Sequence, residues 1–152
     1  MQLLPIGIQS FCDLRNNNYL YVDKTEDIYR MITSGKTFFL SRPRRFGKSL
    51  LLSTMEKIFS GNKELFEGLY IYDKWDWTQK HPVIKIDWSS IKHTTAEEME
   101  ISTLNYLKRI AARHQVVLSA QFASDCFDEL LEILHVKTGM QVVVLVDEYD
   151  MP

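Results

Sequence analysis

Cysteine is scarce in this chain: 152 residues contain two, Cys12 and Cys126, with no paired spacing. That leaves no disulfide framework and no cysteine-based metal site. The four histidines, at positions 81, 93, 114 and 135, fit no ligand spacing, and the sequence predicts a reduced compartment and no zinc. An excess of one charge is missing too. With 18 basic and 20 acidic residues and a formal net charge of −2, nothing at whole-chain level argues for coating nucleic acid or lying on a membrane. No apolar run approaches the ~20 residues that cross a bilayer. The amino terminus, Met1 to Ile8, lacks a basic region followed by a long apolar core. The expectation is a cytoplasmic chain without membrane contact, in which any basic site is local. Internal repeats and low-complexity linkers are absent as well. What is present is a 45% hydrophobic content in a length suited to one globular domain with a sizeable core.

Thr37-Phe-Phe-Leu40 is a short, uncharged, β-prone run between Gly35 and Pro43 and predicts a buried strand. Beyond the loop that follows, Leu51, Leu52, Met55, Ile58 and Phe59 fall at helical spacing ahead of Gly61. They predict a helix of about three turns beginning near Lys48. Val83 to Asp87, after Pro82, is rich in β-branched residues and predicts a second strand. Two amphipathic helices come next, one carrying Met99, Leu104, Leu107, Ile110 and Ala111, the other Phe122, Cys126, Leu130, Ile133 and Leu134 up to Gly139. Gln141-Val-Val-Val-Leu-Val-Asp147 runs without alternation, as a strand buried on both faces of a parallel sheet does. Upstream of all these, Tyr19 to Asp23 is β-prone, and Asp23 or Thr25 can cap a helix through Ile28, Tyr29 and Ile32 to Gly35. Trp75 to Pro82 reads as a surface connection, and no domain boundary is visible. Strands alternating with helices predict an α/β fold.

Residues 41–49, Ser-Arg-Pro-Arg-Arg-Phe-Gly-Lys-Ser, lie between the first predicted strand and the start of the first long helix. A helix N-terminus presents unpaired amides and the positive end of the backbone dipole, so the amides around Phe46 to Ser49 can wrap a phosphate chain. Gly47 lets the backbone approach closely, Lys48 is placed for the β- and γ-phosphate oxygens, and the Ser49 hydroxyl can ligate magnesium. The implied ligands are ATP and Mg2+, with Arg45, Phe46, Gly47, Lys48 and Ser49 as phosphate-binding residues. The usual pattern opens with a glycine where this chain has Arg42, and Pro43 holds that residue extended and offers no amide. Arg44 and Arg45 have two readings, charge-assisted contacts to phosphate or a solvated, partner-binding patch.

A second constellation, Asp147-Glu148, ends the last predicted strand, at the edge where open α/β sheets place their ligand crevice. Asp147 is read as a magnesium ligand alongside Ser49, and Glu148 as the catalytic group that orients water for attack on the γ-phosphate. Alone, Asp147, Glu148 and Asp150 would read as a strand end returning to solvent. The coincidence of a Gly-Lys-Ser helix start with an Asp-Glu strand end favours a nucleotide site. Two other readings stay open. One is a regulatory module that binds nucleotide without hydrolysing it. The other is a two-metal nuclease cluster of Asp87, Asp147, Glu148 and Asp150 with Arg42, Arg44 and Arg45 on DNA. The nuclease reading leaves the Gly-Lys-Ser start unexplained, so direct nucleic-acid contact is not expected. Tyr19, Tyr21, Trp75, Trp77 and Trp88 read as packing aromatics, and Tyr21 to Thr25 is the segment that offers base-side contacts.

Four segments in order, Leu4 to Phe11, Tyr21 to Thr25, Arg42 to Ser49 and Asp147 to Pro152, resemble the predicted AAA-ATPase-like proteins of anaerobic gut bacteria and related microbes. The resemblance spans almost the whole chain and makes Arg42-Pro-Arg-Arg-Phe46 that family's own version of the loop. Met151 departs from it, since the family more often has lysine there. By resemblance, residues 1–152 are the N-terminal part of a P-loop ATPase domain, with a Walker A-like loop at 41–49 and a Walker B-like strand at 141–148. The implied fold is a P-loop NTPase-type parallel sheet flanked by helices and incomplete at its C-terminus. The implied activity is an ATPase coupled to a protein partner or to a downstream nuclease-like domain in a longer chain, with self-assembly open. In AAA-like relatives a later strand lies between the phosphate-loop strand and the acidic strand, and sensor and arginine residues follow it. This segment by itself is therefore expected to hydrolyse weakly and to pack loosely.

Overall fold

The computed structural model describes residues 2–41, 43, 46–91 and 95–149, and among them five α-helices and a two-stranded parallel sheet make an α/β arrangement. The chain divides into two compact units, residues 1–80 and 81–152. The division falls inside the 75–82 stretch that reads as a surface connection.

The first unit holds α1 (Phe11–Asn16), α2 (Thr25–Ser34) and α3 (Lys48–Phe59). Hydrophobic spacing locates α2 and α3, whereas six-residue α1 is too short to show a period and begins on a local device. The Asp13 amide donates to Ser10 Oγ at 3.2 Å, an N-cap. Aromatic rings fill the centre. Phe11 stacks on Phe66 with centroids 4.7 Å apart, Tyr21 meets Phe11 edge-on at 5.1 Å, and Trp77 lies 5.0 Å from Phe66. Leu14, Ile28, Ile58 and Ile71 are buried around them. Phe66 belongs to a 3₁₀ turn, Lys63–Phe66, which Arg15 of α1 secures by donating to the Leu65 and Glu67 carbonyls at 2.7 Å each. α3 stops at Gly61, whose φ of +76° lets the Asn62 amide return to the Lys57 carbonyl at 3.1 Å.

Asp23 ties α2 to the 3₁₀ turn Tyr70–Asp73. Its Oδ1 accepts from the Thr25 amide at 2.8 Å and the Thr25 hydroxyl at 2.7 Å, and its Oδ2 accepts from the Tyr70 amide at 2.8 Å. Burial pushes the carboxyl upward, but these bonds outweigh it and hold the group below its ordinary value. A depressed folded value means that the contribution is complete above the unfolded value, ~3.9, and is lost as pH falls through the folded one. Asn in place of Asp can accept on one side only and leaves the Tyr70 amide without its partner. Asp23→Asn is expected to cost about 1 kcal/mol at neutral pH and to shrink the acid-side fall in Tm, read from unfolding curves between pH 7 and pH 3.

Thr37–Leu40 does not join a sheet, contrary to its strand-like composition. Phe38 and Phe39 are 46% and 73% exposed. A β-prone run becomes a strand only where a neighbour pairs with it, and no described segment does so here. Tyr19 to Asp23 behaves similarly, with a single parallel bridge from Leu3 to Tyr19.

In the second unit β1 (Val83–Asp87) leads to α4 (Ala96–Arg113) and α5 (Ala123–Thr138), and the chain returns in β2 (Val143–Asp147), parallel to β1 and in the register Val83 to Val143 through Asp87 to Asp147. Parallel neighbours need a crossover, which α4 and α5 provide. Ile84 and Ile86 pack with Ile110, Ala111, Leu130 and Leu134 in one core cluster. Thr95 caps α4 by accepting from the Glu98 amide at 3.1 Å, and α5 ends on Gly139 at φ +68°. The strand at the end of the chain is shorter than residues 141–148. It also differs from the expectation of burial on both faces: Leu145 and Asp147 are buried, while Val144 and Val146 are 37% and 40% exposed. Among the described residues β2 has a neighbour on one side only, so its other edge and part of one face stay open. His114 and His81 donate to the carbonyls of Val83 and Gln141 at 3.1 and 2.9 Å, which gives both rings a structural use.

Candidate functional site

Five α-helices begin among the described residues, and in four of them a first-turn amide meets a side-chain oxygen. Ser10 meets α1, Asp23 meets the Thr25 amide of α2, Thr95 meets α4, and Glu100 Oε1 accepts from the Ala123 amide of α5 at 2.6 Å. α3 is the exception among the described residues, with no side-chain cap and no acidic residue in its first turn. Its free first-turn amides and the positive end of its dipole are thus left for an anion.

Gly47 sets up that start. It is the N-cap of α3 with φ +76° and ψ +19°, in the left-handed region, and its carbonyl accepts the first helical bond from the Leu51 amide at 2.9 Å. Among the described residues nothing lies within 4 Å of a Cβ at that position, so there the need for glycine comes from φ rather than from space. Gly47→Ala is expected to cost about 1 kcal/mol in stability, visible as a lowered Tm. Lys48 and Ser49 are half-buried in the first turn, and Phe46 is 64% exposed. Arg45, with Arg42 and Arg44, lies outside the described residues.

The buried side of α3 is unusually polar. Ser53 is 6% exposed and Thr54 fully buried. The Phe11 amide donates to Ser53 Oγ at 2.9 Å, and the Thr54 hydroxyl donates to the Leu50 carbonyl at 2.8 Å. The Tyr21 hydroxyl meets Thr54; burial raises the Tyr21 pKa, and the Thr54 contact opposes that rise. Thr25 is fully buried and its hydroxyl also accepts from the Ile71 amide at 3.2 Å, which removes it from any base-side contact. Asp23 and Thr25 therefore serve the framework, a role that sequence reading missed although such polar residues are spaced to bond backbone amides nearby.

Asp147 and Glu148 come together at the carboxyl end of β2 in the second unit. Asp147 is 9% exposed, and its Oδ1 accepts from the Glu148 amide at 3.0 Å. Glu148 has φ +53°, an uncommon conformation for a side chain of that size. Asp87 stands opposite Asp147 in the register. Its carboxylate is occupied locally: Oδ1 accepts from the Ser89 amide and hydroxyl at 3.0 and 2.6 Å, starting the 3₁₀ turn Trp88–Ser90. Its amide donates to the Tyr106 hydroxyl at 2.9 Å, fixing α4 against the strand end. Asp150 and Met151 lie outside the described residues.

The Ser49 hydroxyl and the Asp147 carboxylate are each, taken separately, the kind of oxygen donor that suits magnesium, a hard cation usually held by one or two protein oxygens together with phosphate and water. No three His, Cys, Asp or Glu side chains gather into a metal cage among the described residues, so a two-metal cluster finds no geometric support there. No described helix is long and apolar enough to cross a membrane.

An α/β chain with an uncapped Gly-Lys-Ser helix start in one unit and an Asp-Glu strand end in the other has the parts expected of a nucleotide-dependent protein. The chain belongs to the predicted AAA-ATPase family, whose model matches residues 5–152. It is 42% identical over 150 residues to an uncharacterized protein in the vnfD 5′ region of Azotobacter chroococcum mcd 1, an alignment that covers 98% of this chain and 29% of the relative. The chain thus spans under a third of that relative's length. No solved structure matches it.

Proposed function

We propose that this chain is the N-terminal part of a P-loop ATPase domain and that residues 46–49 bind the phosphates of ATP. The observation that carries the reading is the start of α3, the one helix start left without a side-chain partner among the described residues, at the point where Gly47, Lys48 and Ser49 stand. Amides of the first turn hold the phosphate oxygens, the Lys48 ammonium neutralises the β- and γ-phosphates, and Arg45 adds a further cationic contact. Ser49 and Asp147 would hold Mg2+, which would spread the charge that builds on the phosphate oxygens. Glu148 orients a water and takes its proton as the water oxygen bonds to the γ-phosphorus and the bond to the β-phosphate oxygen breaks, giving ADP and phosphate. In the longer protein this cycle drives a protein partner or a downstream effector domain.

Membership of the predicted AAA-ATPase family supports the reading, as does the carboxyl-edge position of Asp147 and Glu148. The test is a titration of the full-length protein with a fluorescent ATP analogue, with and without Mg2+. Saturable, magnesium-dependent binding displaced by unlabelled ATP is expected. A folded protein that shows no saturable binding defeats the proposal.

A further inference from the structure

We infer that Ser53 and Tyr21 are positioning residues for the phosphate-binding turn of α3, acting through the Phe11 amide and through Thr54; the inference rests on the nucleotide reading above. Among the described residues, little holds the start of α3 from its own side. Gly47 is left-handed, and among the described residues no side chain caps the helix. What sets the helix's rotation and height lies downstream on its buried face.

Two directional contacts do this. The first joins Ser53 Oγ to the Phe11 amide at 2.9 Å, in a fully buried setting at the first residue of α1. Ser53 follows Lys48 by about 7.5 Å along the helix axis at the usual rise, so a shift at Ser53 is passed to Lys48 almost undiminished. The second reaches the first turn itself: the Thr54 hydroxyl donates to the Leu50 carbonyl at 2.8 Å, and the Tyr21 hydroxyl hydrogen-bonds with Thr54. Tyr21 is in turn braced edge-on against Phe11 at 5.1 Å. The apolar neighbours Met55 and Ile58 bury the same face, but apolar packing allows a helix to slide where a hydrogen bond specifies one rotation. Phosphate capture depends on placing several amides and one ammonium at once, and a misplacement of about 1 Å is enough to cost a large factor.

The test compares Ser53→Ala and Tyr21→Phe with wild type in the full-length protein, using Mg-ATP affinity in the folded state and Tm as separate readouts. Arg15→Ala serves as the control, because it loses the bonds to Leu65 and Glu67 and so weakens the first unit away from this contact. Ser53→Ala and Tyr21→Phe are expected to weaken Mg-ATP binding about fivefold to tenfold well below Tm, whereas Arg15→Ala lowers Tm and leaves affinity unchanged. Wild-type affinity in both test variants, with only a lowered Tm, overturns the inference and assigns Ser53 and Tyr21 to stability alone. A wild type that does not bind Mg-ATP overturns the nucleotide reading itself, and this inference with it.

Discussion

Lys48→Ala is expected to weaken Mg-ATP binding by about 100-fold while leaving the fold intact. An ammonium bonded to phosphate oxygens contributes roughly 1.5–3 kcal/mol, and every 1.4 kcal/mol is a factor of about ten in affinity. The fold has little to lose. Lys48 occupies the first residue of α3, has no ion-pair partner among the described residues, and gives way to the best helix former. Tm should move by the small amount typical of a substitution away from the core, within about 0.5 kcal/mol. The two readouts separate cleanly: a fluorescence titration reports the phosphate grip, and a thermal melt reports the fold. Equal, saturable binding in wild type and variant would remove Lys48 from the site and leave the phosphate grip to the amides of the first turn and Arg45.

Glu148→Gln is expected to reduce ATP turnover about 10²- to 10³-fold, the range for losing a general base, with Mg-ATP affinity close to wild type. Gln keeps the size of Glu and one accepting oxygen but cannot take a proton from water. The backbone adds a second arm to this prediction. Glu148 is held at φ +53°, and a left-handed conformation costs a residue with a side chain of the order of 1 kcal/mol or more. Glu148→Gly should relieve that cost and raise the stability of the second unit by about 1 kcal/mol while also losing turnover. A residue that is better for function than for folding is the pattern expected where strain serves a site. Should the wild-type protein bind Mg-ATP without hydrolysing it, and Glu148→Gln change neither property, the non-hydrolysing regulatory reading would replace the ATPase reading.

Much of the architecture was legible from local pattern. Leu51, Met55 and Ile58 mark α3, Leu107, Ile110 and Ala111 mark α4, and Cys126, Leu130 and Leu134 mark α5; their 3.6-residue spacing produces one buried stripe whatever covers it. Gly61 and Gly139 announce helix ends because left-handed caps favour glycine. The candidate residues at 46–49 and 147–148 were legible for a similar reason, since phosphate chemistry needs few residue types at close spacing. Short elements were not. Six-residue α1 and the 3₁₀ turns Lys63–Phe66 and Tyr70–Asp73 have no period to detect, and they form because Arg15 and Asp23 bond backbone groups far along the chain.

Local pattern thus determined where the long helices lie and where β1 and β2 run, and it nominated residues 46–49 and 147–148 for phosphate chemistry, because each depends on neighbours a few positions away. Only the tertiary structure decided that Thr37–Leu40 forms no strand, that Thr25 is buried framework, and that Val144 and Val146 are partly open. It also decided that, among the described residues, α3 alone begins with no side-chain oxygen on a first-turn amide, and that Glu148 is bent into a left-handed turn. Pairing, burial and capping depend on what arrives from distant parts of the chain, and no window of sequence contains that partner.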